Sequence, residues 1–330
     1  MKLFTYAKAE GGVVDTIKSH SSHEGSIYLA GGTNLIDLMK EGVLTPDHLV
    51  DINGLKYSKV EPAGSGGIKI GALVRNSDLA NHELVRKHYP VLSRALLSGA
   101  SPQLRNMASV GGNLMQRTRC CYFYDITSAC NKRQPGSGCP AIDGYNRMHA
   151  VLGGSKSCIA VNPSDMNVAL AALDATVIVS SAAGERRIKL VDFHKLPGDT
   201  PNVENDLKPH ELIVSLELPE KGFEKHWAYL KLRDRASYAF ALVSVAACLD
   251  IDGGKIKEAR VALGGVATKP WRMSEAESLL VGKAPSEEAF KKSADLIFKS
   301  ARGYEHNNFK IEMGKRAVVR ALKSAAGGLS

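Results

Sequence analysis

Apolar positions in the first two hundred residues fall into short runs that alternate between two periods. IYLA (27–30) is a continuous apolar run of strand length, and TNLIDLMKEG (33–42) puts Leu35, Leu38 and Met39 on one helical face before Gly42 stops it. HLVDI (48–52) reads as another strand, followed by a glycine-rich hairpin over 57–72. Ser77 is expected to open a helix, SDLANHELVRKH, and Pro90 to start the next, PVLSRALLSG. Farther on, Ser164 is an N-cap candidate for SDMNVALAALDA, and TVIVSS and RRIKLVDF form a strand pair around Ala-Gly-Glu. From about residue 226 the order changes. Three strand-like runs (WAYLKLRD, FALVSVAACLDI, IKEARVALGGVA) precede three helical ones, the last being NNFKIEMGKRAVVRALKSAA. Strands followed by segregated helices argue for a separate α+β domain. The segment 197–210 (PGDTPNVENDLKPH) is the most linker-like and is expected as a surface loop within a domain.

Length and composition narrow the class. With 330 residues, 44% hydrophobic and 23% charged, the chain is an ordinary globular protein of two or three domains. No apolar run approaches the roughly 18 residues that span a bilayer, so no membrane span is expected. The start, MKLFTYAKAEGG, lacks the apolar core of a secretory signal. The expectation is a cytoplasmic protein, or a periplasmic one exported together with a partner that carries the signal. The formal charge of +9 is spread over the chain without zinc-finger spacing or an aromatic RNA-binding signature, which reads as a solvated basic surface and no nucleic-acid partner.

Two stretches carry candidate chemistry through glycine. LAGGTNL (29–35) and ASVGGNL (108–114) each place Gly-Gly just before a polar residue and Leu. Paired glycines let backbone N–H groups approach a phosphate with no Cβ in the way, and a helix starting after the first pair adds its positive end. For one such pair alone, a plain tight turn is the better explanation. Neither stretch matches G-x-G-x-x-G or the Walker pattern, which excludes an ordinary Rossmann or P-loop site. Two similar loops are explained together if both grip one diphosphate.

A third stretch carries thiols. Five of the six cysteines, at 120, 121, 130, 139 and 158, crowd into residues 117–158, while Cys248 stands apart. Disulfides, a zinc ion and an iron–sulfur cluster compete to explain them. A chain of this size with no signal sequence has no need of disulfides. Zinc favours C-x2–4-C pairs, which are missing here. A cluster takes thiolates from an irregular Gly/Pro-rich loop without paired spacing, and Arg117, Arg119, Lys132, Arg133, Arg147 and Lys156 would offset its charge.

Taken together, AGGTNL, ASVGGNL, NPSDM (162–166) and a K-x-R segment before FALVSVA resemble the flavin-binding subunit of the molybdenum hydroxylases, the superfamily of xanthine dehydrogenase, carbon monoxide dehydrogenase and aldehyde oxidoreductases. The resemblance covers essentially the whole chain. The block RTRCCYF…CNKR…PGSGC…GYNR…C is similar to the aldehyde oxidoreductase branch, whose members hold a 4Fe-4S cluster beside FAD. The implied fold is α+β, of the vanillyl-alcohol-oxidase (PCMH) type. Its FAD-binding subdomains would cover 1–55 and 56–225, the second with an iron–sulfur insertion at 117–158. A C-terminal domain with a three-stranded sheet and helices would cover 226–330. Carried over, the resemblance assigns Leu29, Ala30, Gly31, Gly32, Thr33, Asn34 and Leu35 to the FAD pyrophosphate, and Ala108, Ser109, Gly111, Gly112 and Asn113 to the second loop. Asp165 would reach the polar part of the flavin, Ile213 would touch its ring and Lys231 would lie nearby. Cys120, Cys130, Cys139 and Cys158 would be the cluster ligands, because the family block leaves position 121 free. No catalytic acid or base is implied. The implied role is electron transfer beside a large molybdenum-cofactor subunit and a small subunit with two 2Fe-2S clusters, ending on an external electron acceptor. An NAD-linked xanthine dehydrogenase subunit and a structural zinc protein are the rival readings.

Overall fold

Three sheets organise the computed structural model, which describes residues 3–64 and 66–327. The first is parallel, with β1 (Thr5–Lys8), β2 (Ser26–Leu29) and β3 (His48–Asp51) in the order β1-β3-β2. Helices Val13–Ser21 and Leu35–Lys40 make the crossovers that parallel strands require. The second sheet is antiparallel and built from distant parts of the chain. It contains β4 (Val60–Pro62), β5 (Ile68–Gly71), β6 (Thr176–Ser181), β7 (Gly184–Lys189) and β8 (Leu212–Leu218), ordered β4-β5-β8-β6-β7. The third contains β9 (Trp227–Leu232), β10 (Val243–Asp252), β11 (Lys255–Gly264) and the two-residue β12 (Trp271–Arg272), ordered β12-β11-β10-β9. The three expected strands of this last sheet are present, and β12 adds a short edge.

The third sheet is covered on both faces, and β10 shows how its sequence permits this. Val243, Val245, Ala247 and Leu249 face one core with helices Glu287–Ile297 and Phe309–Ala325. Ala246 and Cys248 point the other way, into a core shared with the second sheet and helices Pro90–Ser98 and Asp165–Ala172. Bulk on one face and small side chains on the other let a helix lie close against the strand. Cys248 belongs to that small face, and burial pushes its thiol up. The helix Asp165–Ala172 is buried at every position, so its apolar stretch ALAA needs no polar side.

Two expected boundaries move. The helix placed at Ser77 starts at Asn76, because Arg75 is extended and bridges Ser109, and it breaks at His82 before resuming over Glu83–His88. In RRIKLVDF the strand ends at Lys189, and Leu190–Phe193 is a helical turn.

The last helix carries Gly314 where a Cβ would sit 2.1 Å from the Phe298 ring. Gly314→Ala is therefore expected to destabilise the chain by about 1–3 kcal/mol through overpacking, read as a lower midpoint in urea unfolding.

Candidate functional site

The two glycine stretches meet. β2 ends at Leu29 and the chain turns through residues 30–34 into the helix Leu35–Lys40. Within the turn Gly32 has φ +71°, a conformation that side chains disfavour. Gly31 is excluded from any larger residue by its neighbour, since a Cβ there would lie 1.9 Å from the Met107 carbonyl oxygen. The second stretch is less loop-like than its sequence suggests. Val110–Leu114 is a helical turn, with Ser109 as N-cap accepting from the Gly112 N–H at 3.2 Å. It is pinned to the chain after β5 by Gly111 N–H to Ala72 O (2.7 Å) and Val110 N–H to Val74 O (3.0 Å).

Side chains lock this crossing. Asn53 donates to the Ala30 carbonyl at 2.9 Å and accepts from Arg75 at 3.1 Å, and Arg75 also donates to the Met107 carbonyl. Asp51 orients Asn53 through its backbone and amide N–H groups, at 2.9 and 2.7 Å.

Between the two turns lies a cavity of about 270 Å³, lined by Ala30 to Leu35, Ser109, Gly111, Gly112, Tyr28, Arg117 and Ile213 among others. The N–H groups of Gly31, Gly32, Thr33 and Asn34 have no partner among the described residues. The Tyr28 hydroxyl and the Asn34 amide nitrogen are likewise buried without one. Four successive free N–H groups in a concave turn, which glycine at 31 lets lie against Met107 and glycine at 32 lets adopt a positive φ, fit an anionic oxygen cluster such as a diphosphate. Leu29, Ala108 and Asn113 stand behind the lining. Asn113 accepts from the Ser164 hydroxyl at 2.7 Å, and the Ala108 carbonyl accepts from the Asn76 N–H at 2.9 Å.

A second cavity, of about 150 Å³, opens between the Asp165 helix and the third sheet, with Asp165, Ser164, Phe240, Arg119, Cys120 and His149 in its wall. Asp165 accepts from Tyr229 Oη at 2.6 Å and from Lys231 Nζ at 2.7 Å. Lys231 also donates to the Ser98 carbonyl at 3.0 Å, so it stands behind Asp165. Ile213 stands apart from this pair, with the glycine turns. Burial and the Asp165 charge push the Tyr229 phenol well above its ordinary range, which keeps it a donor. Tyr229 carried no signal in the sequence beyond its place two residues before Lys231 on one strand.

The cysteine stretch folds around a third, smaller cavity whose wall includes Cys120, Cys130, Cys139 and Cys158. All six cysteines are free thiols, and Cys121 is exposed and absent from that wall. Cys121 opens a short helical turn, Cys121–Tyr124, instead of continuing an extended segment. The thiols surround a space and do not meet at a point. Among the described residues no three His, Cys, Asp or Glu side chains are placed to hold a single ion. The cavity is about 20 Å³, and four thiols in one wall are the donor set that a multi-iron cluster takes. Burial pushes the Cys120 thiol up to about 12, so ligation there must displace a proton.

The basic residues of the stretch are largely spoken for. Arg117 and Lys132 converge on Glu204 at 3.0 and 2.9 Å, Arg119 pairs with Asp37 at 2.6 Å and Arg147 with Asp234 at 2.8 Å. Their charges are thus met by carboxylates, which changes the expectation that they offset a cluster. Burial alone would raise Glu204, but Lys132 and Arg117 outweigh it and hold its carboxyl below the ordinary value. The linker-like segment is therefore a clasp on the cysteine loop.

Comparison with known proteins places this geometry. Residues 6–221 match the family model described as the FAD binding domain in molybdopterin dehydrogenase, and 227–325 match the CO dehydrogenase flavoprotein C-terminal domain. The chain belongs to the FAD-binding subunits of the molybdenum hydroxylases and is an oxidoreductase subunit. It is 51% identical over 326 residues to the aldehyde oxidoreductase FAD-binding subunit PaoB of Escherichia coli, covering 98% of this chain and 99% of that one. It is 30% identical to the glyceraldehyde dehydrogenase medium chain of Sulfolobus acidocaldarius, with 98% of each covered. The fold is also that of carbon monoxide dehydrogenase from Hydrogenophaga pseudoflava, with a TM-score of 0.77 at 24% identity over 99% of this chain and 98% of that one. Among the described residues no helix is long and apolar enough to cross a membrane.

Glu204 ties the clasp to pH. Its depressed pKa means that its stabilisation is present above the ordinary carboxylate range and is lost as pH falls through the folded value. Glu204→Gln is expected to cost about 1.5–3 kcal/mol near neutrality and to flatten that part of the acid-unfolding curve, measured by denaturant titration across pH.

Proposed function

We propose that this chain is the electron-transfer flavoprotein subunit of a molybdenum-containing aldehyde oxidoreductase. The cavity closed by both glycine turns carries the reading, together with 51% identity to a protein named as such a subunit. Gly31 to Asn34 and the Ser109–Gly112 turn hold the FAD pyrophosphate, with Arg117 and the buried Tyr28 and Asn34 donors at its margin. Asp165, kept in place by Tyr229 and Lys231, faces the polar part of the ring in the second cavity, and Ile213 packs nearer the pyrophosphate end. Bound FAD supplies the exchange between one-electron and two-electron transfer; the chain positions it and tunes it.

Cys120, Cys130, Cys139 and Cys158 hold a 4Fe-4S cluster. The support is their common cavity, which shares Thr118, Cys120 and His149 with the wall of the cavity at Asp165. The partners are a large molybdenum-cofactor subunit and a small subunit with two 2Fe-2S clusters, and electrons leave to an external acceptor. In this reading the aldehyde site belongs to the molybdenum subunit, so the isolated, FAD-loaded chain is expected to show no aldehyde or purine oxidation. Turnover without molybdenum would overturn the subunit reading, and NAD reduction by the purified complex would favour the xanthine dehydrogenase type.

Gly32→Val forces a β-branched residue into φ +71°, and Gly111→Val brings a Cβ to 3.2 Å from the Ala72 side chain. Each is expected to lose the flavin while keeping the fold, read as flavin per protein beside an unchanged circular dichroism spectrum. Full flavin retention in both would make the turns purely structural.

Cys121→Ser is expected to leave four irons per flavin, whereas Cys120→Ser loses or degrades the cluster. Iron analysis with low-temperature EPR of the reduced proteins checks this, and the reverse pattern would move the ligand to Cys121.

A further inference from the structure

His149 lies in the wall of the cysteine cavity. Its Nε2 is 3.0 Å from Cys120 Sγ, the side chain is buried, and Nδ1 has no hydrogen-bond partner among the described residues. Its one polar contact is therefore the sulfur, and towards a thiolate the imidazole Nε2–H can only donate. The backbone of the same residue is held with unusual firmness. The His149 carbonyl accepts from Lys310 Nζ at 2.8 Å and from Asn307 Nδ2 at 3.3 Å, and its N–H donates to the Asn146 carbonyl at 2.9 Å.

Lys310 completes the arrangement. It is 0% exposed, its other acceptor is the Gly265 carbonyl, and no carboxylate pairs with it among the described residues. An ammonium met only by carbonyl dipoles is costly to bury, and burial pushes the Lys310 amine down to about 7. His149 and Gly265, whose carbonyls it holds, both belong to the cavity wall that contains Cys120. Unlike Arg117, Arg119, Lys132 and Arg147, Lys310 is not answered by a carboxylate among the described residues.

We propose that His149, held in place by Lys310, is the hydrogen-bond donor to the Cys120 thiolate that sets the reduction potential of the cluster. The inference rests on the cluster reading above. A hydrogen bond to a ligating sulfur withdraws electron density from it and stabilises the reduced cluster, so His149 acts to raise the potential and Lys310 acts through the carbonyl it holds. His149 is a positioning residue; it ligates nothing.

The test is an EPR-monitored redox titration of the purified complex, with iron and flavin content measured on the same samples. His149→Leu is expected to keep four irons per flavin and to titrate at a lower potential, while His149→Gln, which retains an N–H donor, stays nearer the parent. Lys310→Met leaves the imidazole in the chain but frees its carbonyl, and is expected to shift the potential in the same direction. Iron lost from His149→Leu but retained in His149→Gln would also support the donor role. A cluster present at full iron content whose potential ignores His149→Leu overturns the inference, as does equal iron loss in both His149 variants. A shift in His149→Leu with none in Lys310→Met overturns the part assigned to Lys310. Parent protein without iron would instead remove the cluster reading itself.

Discussion

The backbone of Gly31 lies so close to the carbonyl of Met107 that no side chain fits between them, and the cavity depends on that approach. It brings a turn from the first sheet against a turn that belongs to the second. Neither turn alone encloses a ligand. The approach is held from the side by Asn53 and Arg75, which reach the carbonyls of Ala30 and Met107 respectively and each other in between. The two turns are thus fastened at the place where the cavity lies between them. Free N–H groups and buried unpartnered donors collect there because the chain has left them for something anionic to satisfy.

Charge is distributed around the cysteine loop by a different rule. Most of its cations are answered by carboxylates from distant segments: Asp37 before it, Glu204 and Asp234 after it. These pairs fasten the loop to its surroundings and leave little net charge at the surface of the thiol cavity. Lys310 is the contrast, a buried amine from the helix Phe309–Ala325 met by carbonyls alone and pushed by burial towards its neutral form.

How much of this was legible beforehand follows from what each feature depends on. The glycine stretches, the alternation in β10 and the Ser164 cap are local, and local patterns report them well; the Ser164 hydroxyl accepts from the Asn167 N–H as expected. The crowding of cysteines announced a site, and the sparing of Cys121 came from resemblance to a family block. Arg75 did not look like anything in the sequence, because its role needs Asn53 and Met107 to be brought beside it. The segment 197–210 looked like a linker since its composition is polar, and only the fold shows that Glu204 turns inward to two cations. His149 and Lys310 are separated by 161 residues, and no periodicity could connect them. The start of the helix at Asn76 was missed for a related reason: Arg75 is held extended by its bridge to Ser109, a neighbour in space that the local pattern does not show.

The clasp on the cysteine loop has a consequence for the order in which the molecule is made. The loop spans 117–158, but Glu204, Asp234, Asn307 and Lys310 all follow it along the chain. As the polypeptide leaves the ribosome, the thiols emerge well before the residues that close their surroundings. Until Glu204 and Asp234 emerge, the charged partner that holds the loop is Asp37, and until Lys310 follows, His149 lacks the anchor on its carbonyl. The growing chain therefore closes the surroundings of its thiols in stages, and the last of them waits on Lys310, 161 residues downstream of His149.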